Sequence, residues 1–255
     1  MKKWMAIGGS VVLVGVIVIL LLTFLDGIQI SEGNKTNKSA ASREDSSLTF
    51  YETTELSEPG LTNNEGIQYG KYDIFKDGKG KEYYFLHEED IYCGFLTVNE
   101  EYSEGTIEEN SAEEIAAEYL KKEVSDSSAY KLEDTMYEDW HYSYLVKFRY
   151  YIEEIPTEEV VRISVGGDGK VNSYSNFLVG CFDQTIVDTN TVQEAIETIE
   201  EQLENKYATG NYEIDEQCVT YKDGKLVLKT AYHYGKEQEN GTSVMMYDTI
   251  YTSLR

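Results

Sequence analysis

Apolar residues recur along this chain in three rhythms, and each rhythm predicts a different element. Residues 4–25 form one uncharged run dominated by Val, Ile and Leu; about 20 apolar residues suffice for a helix to cross a bilayer. Two later stretches carry helical spacing. Ile115, Ala116, Tyr119, Leu120 and Val124 share one face after Ser111-Ala-Glu-Glu114, and Val192, Ile196, Ile199, Leu203 and Tyr207 share another after Thr191-Val-Gln-Glu194. Both tetrads have capping-box spacing, which predicts helices over 111–124 and 191–207. The third rhythm is strict alternation. Residues 141–150 put Tyr142, Tyr144, Val146, Phe148 and Tyr150 on one side and Lys147 and Arg149 on the other, and residues 225–234 alternate through Leu226, Leu228, Thr230, Tyr232 and Tyr234. Such segments predict strands. Two hairpins join across Asp77-Gly-Lys-Gly80 and Gly166-Gly-Asp-Gly169, where Gly supplies the positive φ of a tight turn.

The order hairpin, helix, four strands, helix, three strands predicts an α+β fold. In this reading a transmembrane helix precedes two units, each a helix packed on an antiparallel sheet. The expected divisions are a cytoplasmic stub (1–3), an anchor (4–25), a flexible linker (26–48), a hairpin plus first unit (49–185) and a second, shorter unit (186–255). Lys2 and Lys3 precede the apolar run and Asp26 follows it, so the positive-inside rule predicts a single-pass protein with its C-terminal part outside the cell. A cleaved signal peptide has a shorter apolar region, roughly 7–15 residues, and 26–29 lack a small-x-small cleavage pattern. Residues 31–48 are rich in Ser, Asn, Lys and Gly, the composition of a tether.

Charge narrows the partners. With 22 basic and 47 acidic side chains, the net charge of −25 repels phosphate backbones, so nucleic acid is not an expected partner. A basic protein surface, a cationic peptide or divalent cations are compatible with it. Disorder is not expected, because 41% of residues are apolar and Tyr occurs 22 times. The three cysteines, Cys93, Cys181 and Cys218, show no C-x-x-C and no metal-ligand spacing with His. Three buried thiols are one reading. One disulfide is another, with Cys93 and Cys181 the preferred pair, since each follows a DGK-turn hairpin and precedes a predicted helix.

Residues 111–177 resemble a PepSY domain, the module of peptidase propeptides and YpeB-type spore proteins. The resemblance rests on Ser111-Ala-Glu-Glu-Ile-Ala-Ala-Glu-Tyr-Leu120, Tyr144-Leu-Val-Lys-Phe148, Glu159-Val-Val-Arg-Ile-Ser-Val165 and the turn Gly167-Asp-Gly-Lys-Val171 leading to Tyr174. Residues 191–252 look like a divergent second copy lacking its last strand. The anchored arrangement is also similar to YycH/YycI-type extracytoplasmic regulators of a Gram-positive sensor kinase. This resemblance implies a non-catalytic binding or regulatory module acting on a peptidase or a sensor-kinase ectodomain, and it transfers no catalytic residue.

A search for chemistry along the chain selects little. His87-Glu88-Glu89-Asp90-Ile91 begins like H-E-x-x-H, but Ile91 stands where the second zinc ligand belongs. His141 and His233 sit in Tyr-rich strands, no G-x-S-x-G elbow appears, and the Gly-rich turns lack the Lys-Ser/Thr of a P-loop. No catalytic, metal or cofactor residue is therefore assigned and no cofactor is expected. Tyr142, Tyr144, Tyr232 and Tyr234 are the candidate ligand-facing aromatics, because Tyr pairs a flat apolar face with a hydroxyl; ordinary half-buried strand tyrosines give the same pattern. The expected function is a non-catalytic module that regulates an extracytoplasmic protein partner. An envelope hydrolase using carboxylates and a self-assembling envelope scaffold are the alternatives.

Overall fold

The computed structural model describes residues 41–55, 61–97, 107–139, 141–183, 185–207, 211–237 and 243–254. Strands β1 (Thr49–Glu55), β2 (Lys71–Lys76), β3 (Glu82–Leu86) and β4 (Tyr92–Leu96) precede helix α1 (Glu109–Glu123). Four strands follow it, β5 (Tyr130–Glu138), β6 (Ser143–Ile152), β7 (Ile155–Gly166) and β8 (Val171–Ser175). Helix α2 (Thr189–Tyr207) then leads into β9 (Tyr212–Lys222), β10 (Lys225–Glu237) and β11 (Ser243–Ser253).

All eleven strands join one sheet in the order β1-β2-β3-β4-β8-β7-β9-β10-β11, with β6 and then β5 continuing from β7. This corrects the expectation of two separate helix-on-sheet units behind a membrane helix. The join is a single parallel bridge, Thr157 to Val219. Because β6 pairs along β7 from Ile155 to Gly166, β8 and β9 share the opposite edge of β7. There β8 takes Arg162–Val165 and β9 takes Thr157. One hydrophobic cluster spans both halves, from Phe85, Phe95 and Ile163 to Val219, Leu228 and Tyr232.

Both helices pack on the face that carries this cluster. Helix α1 buries Ala112, Ala116 and Leu120, one face at four-residue spacing. Helix α2 buries Val192, Ala195, Ile199 and Leu203, each large side chain worth about 1.5–3 kcal/mol on burial. Their other faces are charged, with Glu118, Lys121 and Lys122 on α1 and Glu194, Glu197, Glu200, Glu201 and Glu204 on α2 exposed. Among the described residues no helix is long and apolar enough to cross a membrane. The segment 4–25 lies outside those residues, so the expected anchor, and the single-pass localisation drawn from it, are not supported and are set aside.

Neither capping box forms as expected. Helix α1 starts at Glu109 with no side-chain cap, so Ser111 sits inside its first turn. Asp188 caps α2 instead: its carboxylate accepts from the Asn190 N–H at 3.0 Å and from the Thr191 hydroxyl at 3.2 Å. The end of the segment read as linker is docked, since Arg43 donates to the Glu89 carbonyl at 2.7 Å and ion-pairs with Asp73. At Gly94 the backbone has φ +146, and a Cβ there would lie 2.3 Å from the Tyr174 carbonyl oxygen, so only glycine lets β4 approach β8.

Candidate functional site

Side chains alternate across a strand, so the residues between the core-facing ones on β5–β10 form a second face, which no described helix covers. Lys147 and Arg149 of β6, Glu158, Val160 and Arg162 of β7, and Glu216, Cys218 and Thr220 of β9 lie there. Arg149, 8% exposed, is the hub where the two halves of the sheet meet. Its Nε donates to Glu133 of β5 at 2.6 Å, one terminal nitrogen to the Thr157 carbonyl of β7 at 2.7 Å, and the other to Glu216 of β9 at 2.7 Å. Lys229 of β10 pairs with Glu158 of β7, which also accepts from the Thr220 hydroxyl. Lys147 pairs with Asp134 at 3.0 Å. These bonds clamp β9 and β10 against β7 where only one backbone bridge joins them.

The clamped meander ends in an open edge. Among the described residues the sheet has three outer strands, β1, β5 and β11. Strand β1 is bulged between Phe50 and Glu52 and β5 between Leu132 and Asp134; β1 carries two charged residues, Glu52 and Glu55, and β5 four. Strand β11 pairs with β10 from Ser243 to Ser253 without a register shift. Its only charged residue is Asp248, which accepts from the Tyr232 hydroxyl at 3.0 Å. Tyr247 is 74% and Met245 54% exposed, with Val244, Met246 and Tyr251 also exposed. Bulges, charges and Pro are the usual protections of an edge strand, and β11 has almost none.

On the opposite side of the sheet plane lies a buried carboxyl. Glu159 is 2% exposed; its Oε1 accepts from the Tyr130 hydroxyl at 2.5 Å and from Asn176 Nδ2 at 2.7 Å. Burial pushes it up to about 7, the two hydrogen bonds oppose this, and Asp183 adds to it.

The nearest approach to catalytic geometry lies elsewhere, at Asp73. His87 Nδ1 stands 2.7 Å from Asp73 Oδ1, the Thr53 hydroxyl donates to the same oxygen at 2.7 Å, and Arg43 pairs with Oδ2. Burial raises the Asp73 carboxyl, but the hydrogen bonds from Thr53 and His87 and the Arg43 charge outweigh it and hold the group low. A nucleophile must contact its base; here the hydroxyl and the imidazole both contact the acid. The arrangement is that of an ion-pair cluster anchoring residues 41–48.

The four candidate tyrosines fall in two places. Tyr142, at φ 48, occupies the turn before β6, where its carbonyl accepts from the Gly167 N–H. Tyr144 packs against Tyr137 with ring centroids 4.9 Å apart. Tyr232 is buried, and Tyr234 stacks on Tyr207 of α2 at 4.3 Å. Cys93, Cys181 and Cys218 are buried free thiols, and burial pushes each of them up; a Cys93–Cys181 bridge therefore stands only as a proposal. Sequence reasoning missed the Arg149 hub and Glu159, whose side chains read as ordinary members of alternating strands.

Neither a protein-family model nor a curated protein matches the chain. A similar solved structure is the C-terminal domain of YpeB from Bacillus megaterium, with a TM-score of 0.39 and 11% sequence identity, over 94% of this chain and 97% of that one. At that TM-score the likeness carries no argument by itself.

Proposed function

We propose that the chain is a non-catalytic binding module that modulates a protein partner, taking an extended segment of that partner as an added strand on β11. The observation that carries this reading is the unbulged, almost uncharged edge of β11 with its exposed Met245 and Tyr247. Strand addition uses the free backbone groups for affinity and alternate side-chain contacts for specificity. In residues 111–177, four consecutive strands follow the helix, and β8 covers the far edge of β7. Among the described residues no strand pairs with the outer edge of β11, so an added strand would stand beside β11 as β8 stands beside β7. The PepSY resemblance of residues 111–177 makes a peptidase or a sensor kinase the expected class of partner.

Photo-crosslinking in the source cell tests this. A crosslinking residue at position 247 should give one discrete adduct with a different protein, and the adduct should vanish in Met245→Lys, since an edge lysine blocks strand pairing. The same residue at Ile186, 92% exposed and remote in sequence from β11, is the control. An adduct that survives the lysine, or appears equally at 186, rejects strand addition. An adduct between two copies of the chain favours the self-assembling reading instead.

A further inference from the structure

The face of the sheet that no described helix covers holds one cation, Arg162, without a carboxylate partner. In a chain with 47 acidic and 22 basic side chains, each cation has about two carboxylates available to it. Lys147, Arg149 and Lys229 each take at least one. The half-buried Arg162 takes none: its guanidinium makes no hydrogen bond and no ion pair among the described residues. Glu133 and Glu216 attract it from farther away, but both are bound to Arg149, which repels it. Burial lowers the guanidinium from its ordinary range, Glu133 opposes this, and Arg149 adds to the lowering. A half-buried guanidinium without a partner is costly, and a bound anion would remove that cost.

Hydroxyl groups surround it. Arg162 lies directly across from Ser175 of β8 and from Lys147 of β6, while Ser164 lies across from Ser173. Residues so opposed have Cβ atoms about 4.5–5.5 Å apart on the same face. Ser164, Ser173 and Ser175 are 4–5% exposed, and their hydroxyls make no side-chain hydrogen bond among the described residues. Beyond Ser175 stands Gly94, which adds no side chain to the patch. Five cations (Lys131, Lys147, Arg149, Arg162, Lys229) stand with five carboxylates (Glu133, Asp134, Glu154, Glu158, Glu216), so this patch lacks the acidic excess of the whole chain.

We propose that Arg162, the hydroxyls of Ser164, Ser173 and Ser175, and the neighbouring Lys147 form a binding site for a small oxyanion group, a carboxylate or a phosphate. The planar fork of Arg matches two oxygens of either group, and the three serines supply donors for the remaining lone pairs. The site lies apart from the β11 edge and stands or falls independently of the proposed strand addition.

The test titrates the full chain with acetate and, separately, with inorganic phosphate, at constant ionic strength with chloride as the replaced anion. The readouts are the Arg162 Nε–H resonance in ¹⁵N NMR for the unaltered chain and, for it and every variant, the backbone N–H resonances of residues 164, 173 and 175. At least one anion should give a saturable shift. Saturation by acetate alone assigns a carboxylate ligand, and by phosphate alone a phosphate ligand. Arg162→Gln should weaken binding by about tenfold or more, the loss of one charge-assisted pair. Arg162→Lys should weaken it less. If Arg162→Gln does not fold, the triple variant S164A/S173A/S175A, which removes only hydroxyls, should bind several-fold more weakly. Absence of saturation by both anions overturns the proposal, as does unchanged affinity in folded Arg162→Gln or in the triple serine variant.

Discussion

Replacing Glu159 by Gln should change how stability depends on pH. In the fold its carboxyl sits at about 7, against an ordinary value of 4.5, chiefly because it is buried. The group is raised, so between those two values the native state holds a proton that the unfolded state has released. Stability therefore falls as pH rises from about 4.5 to about 7 and is flat above that, by linkage. Each pKa unit is worth about 1.36 kcal/mol, so the whole window carries about 3 kcal/mol. Gln keeps a carbonyl oxygen in place of Oε1, the atom to which both Tyr130 and Asn176 donate, and it does not titrate. Urea unfolding of the wild type and Glu159→Gln at several pH values from 4.5 to 8.5 measures the difference directly. Near pH 4.5 the variant should be the less stable, because its amide adds an N–H₂ with no partner identified. Through neutrality the two curves should converge and cross, their separation changing by about 3 kcal/mol across the window. Parallel curves would refute the reasoning and mean that Glu159 ionises in the fold as it does in water.

Two further substitutions probe the architecture. Arg149→Ala should cost about 3 kcal/mol in urea unfolding, since it removes a charged donor from the buried Thr157 carbonyl and strips Glu133 and Glu216 of their cation, although those carboxylates, each about a third exposed, regain water; a loss under 1 kcal/mol would show that the join does not depend on the Arg149 hub. Gly94→Ala should cost about 3 kcal/mol or prevent folding, from its left-handed φ and the close Tyr174 carbonyl together, and thermal unfolding of the variant checks this.

What the sequence disclosed depended on whether the deciding contact was local. The stripe Val192, Ile199 and Leu203 announced α2 because its period follows from the helix itself, and the Asp77–Gly80 and Gly166–Gly169 turns announced their hairpins for the same reason. Capping was misread, since Ser/Thr-x-x-Glu spacing fits the first turn of a helix as well as its start, and Asp188 took the role assigned to Thr191. Strand β4 escaped notice because Tyr92–Leu96 is short, does not alternate and contains Gly94. The merging of two expected units into one sheet was beyond reach: its backbone pairing is one bridge, Thr157 to Val219, across 62 residues. The Arg149 hub was hidden likewise, because Glu133, Arg149 and Glu216 each look like a solvated charge on its own strand.

The distribution of charge bears on what covers β11. A long, flat, apolar edge invites pairing with whatever strand it meets, and under the proposed function that strand belongs to a partner. A second copy offers the same edge but brings another net charge of −25. The cost of bringing two such charges together is softened only by screening, with a Debye length of about 8 Å at physiological salt. A basic or neutral segment meets no such cost, and the same field that repels a copy draws a cationic partner inward. The clamp of Arg149 and Lys229 also favours such a partner. By pinning β9 and β10 to β7 it holds the β11 edge in a fixed direction before binding, so an incoming strand need not spend interaction energy on ordering it.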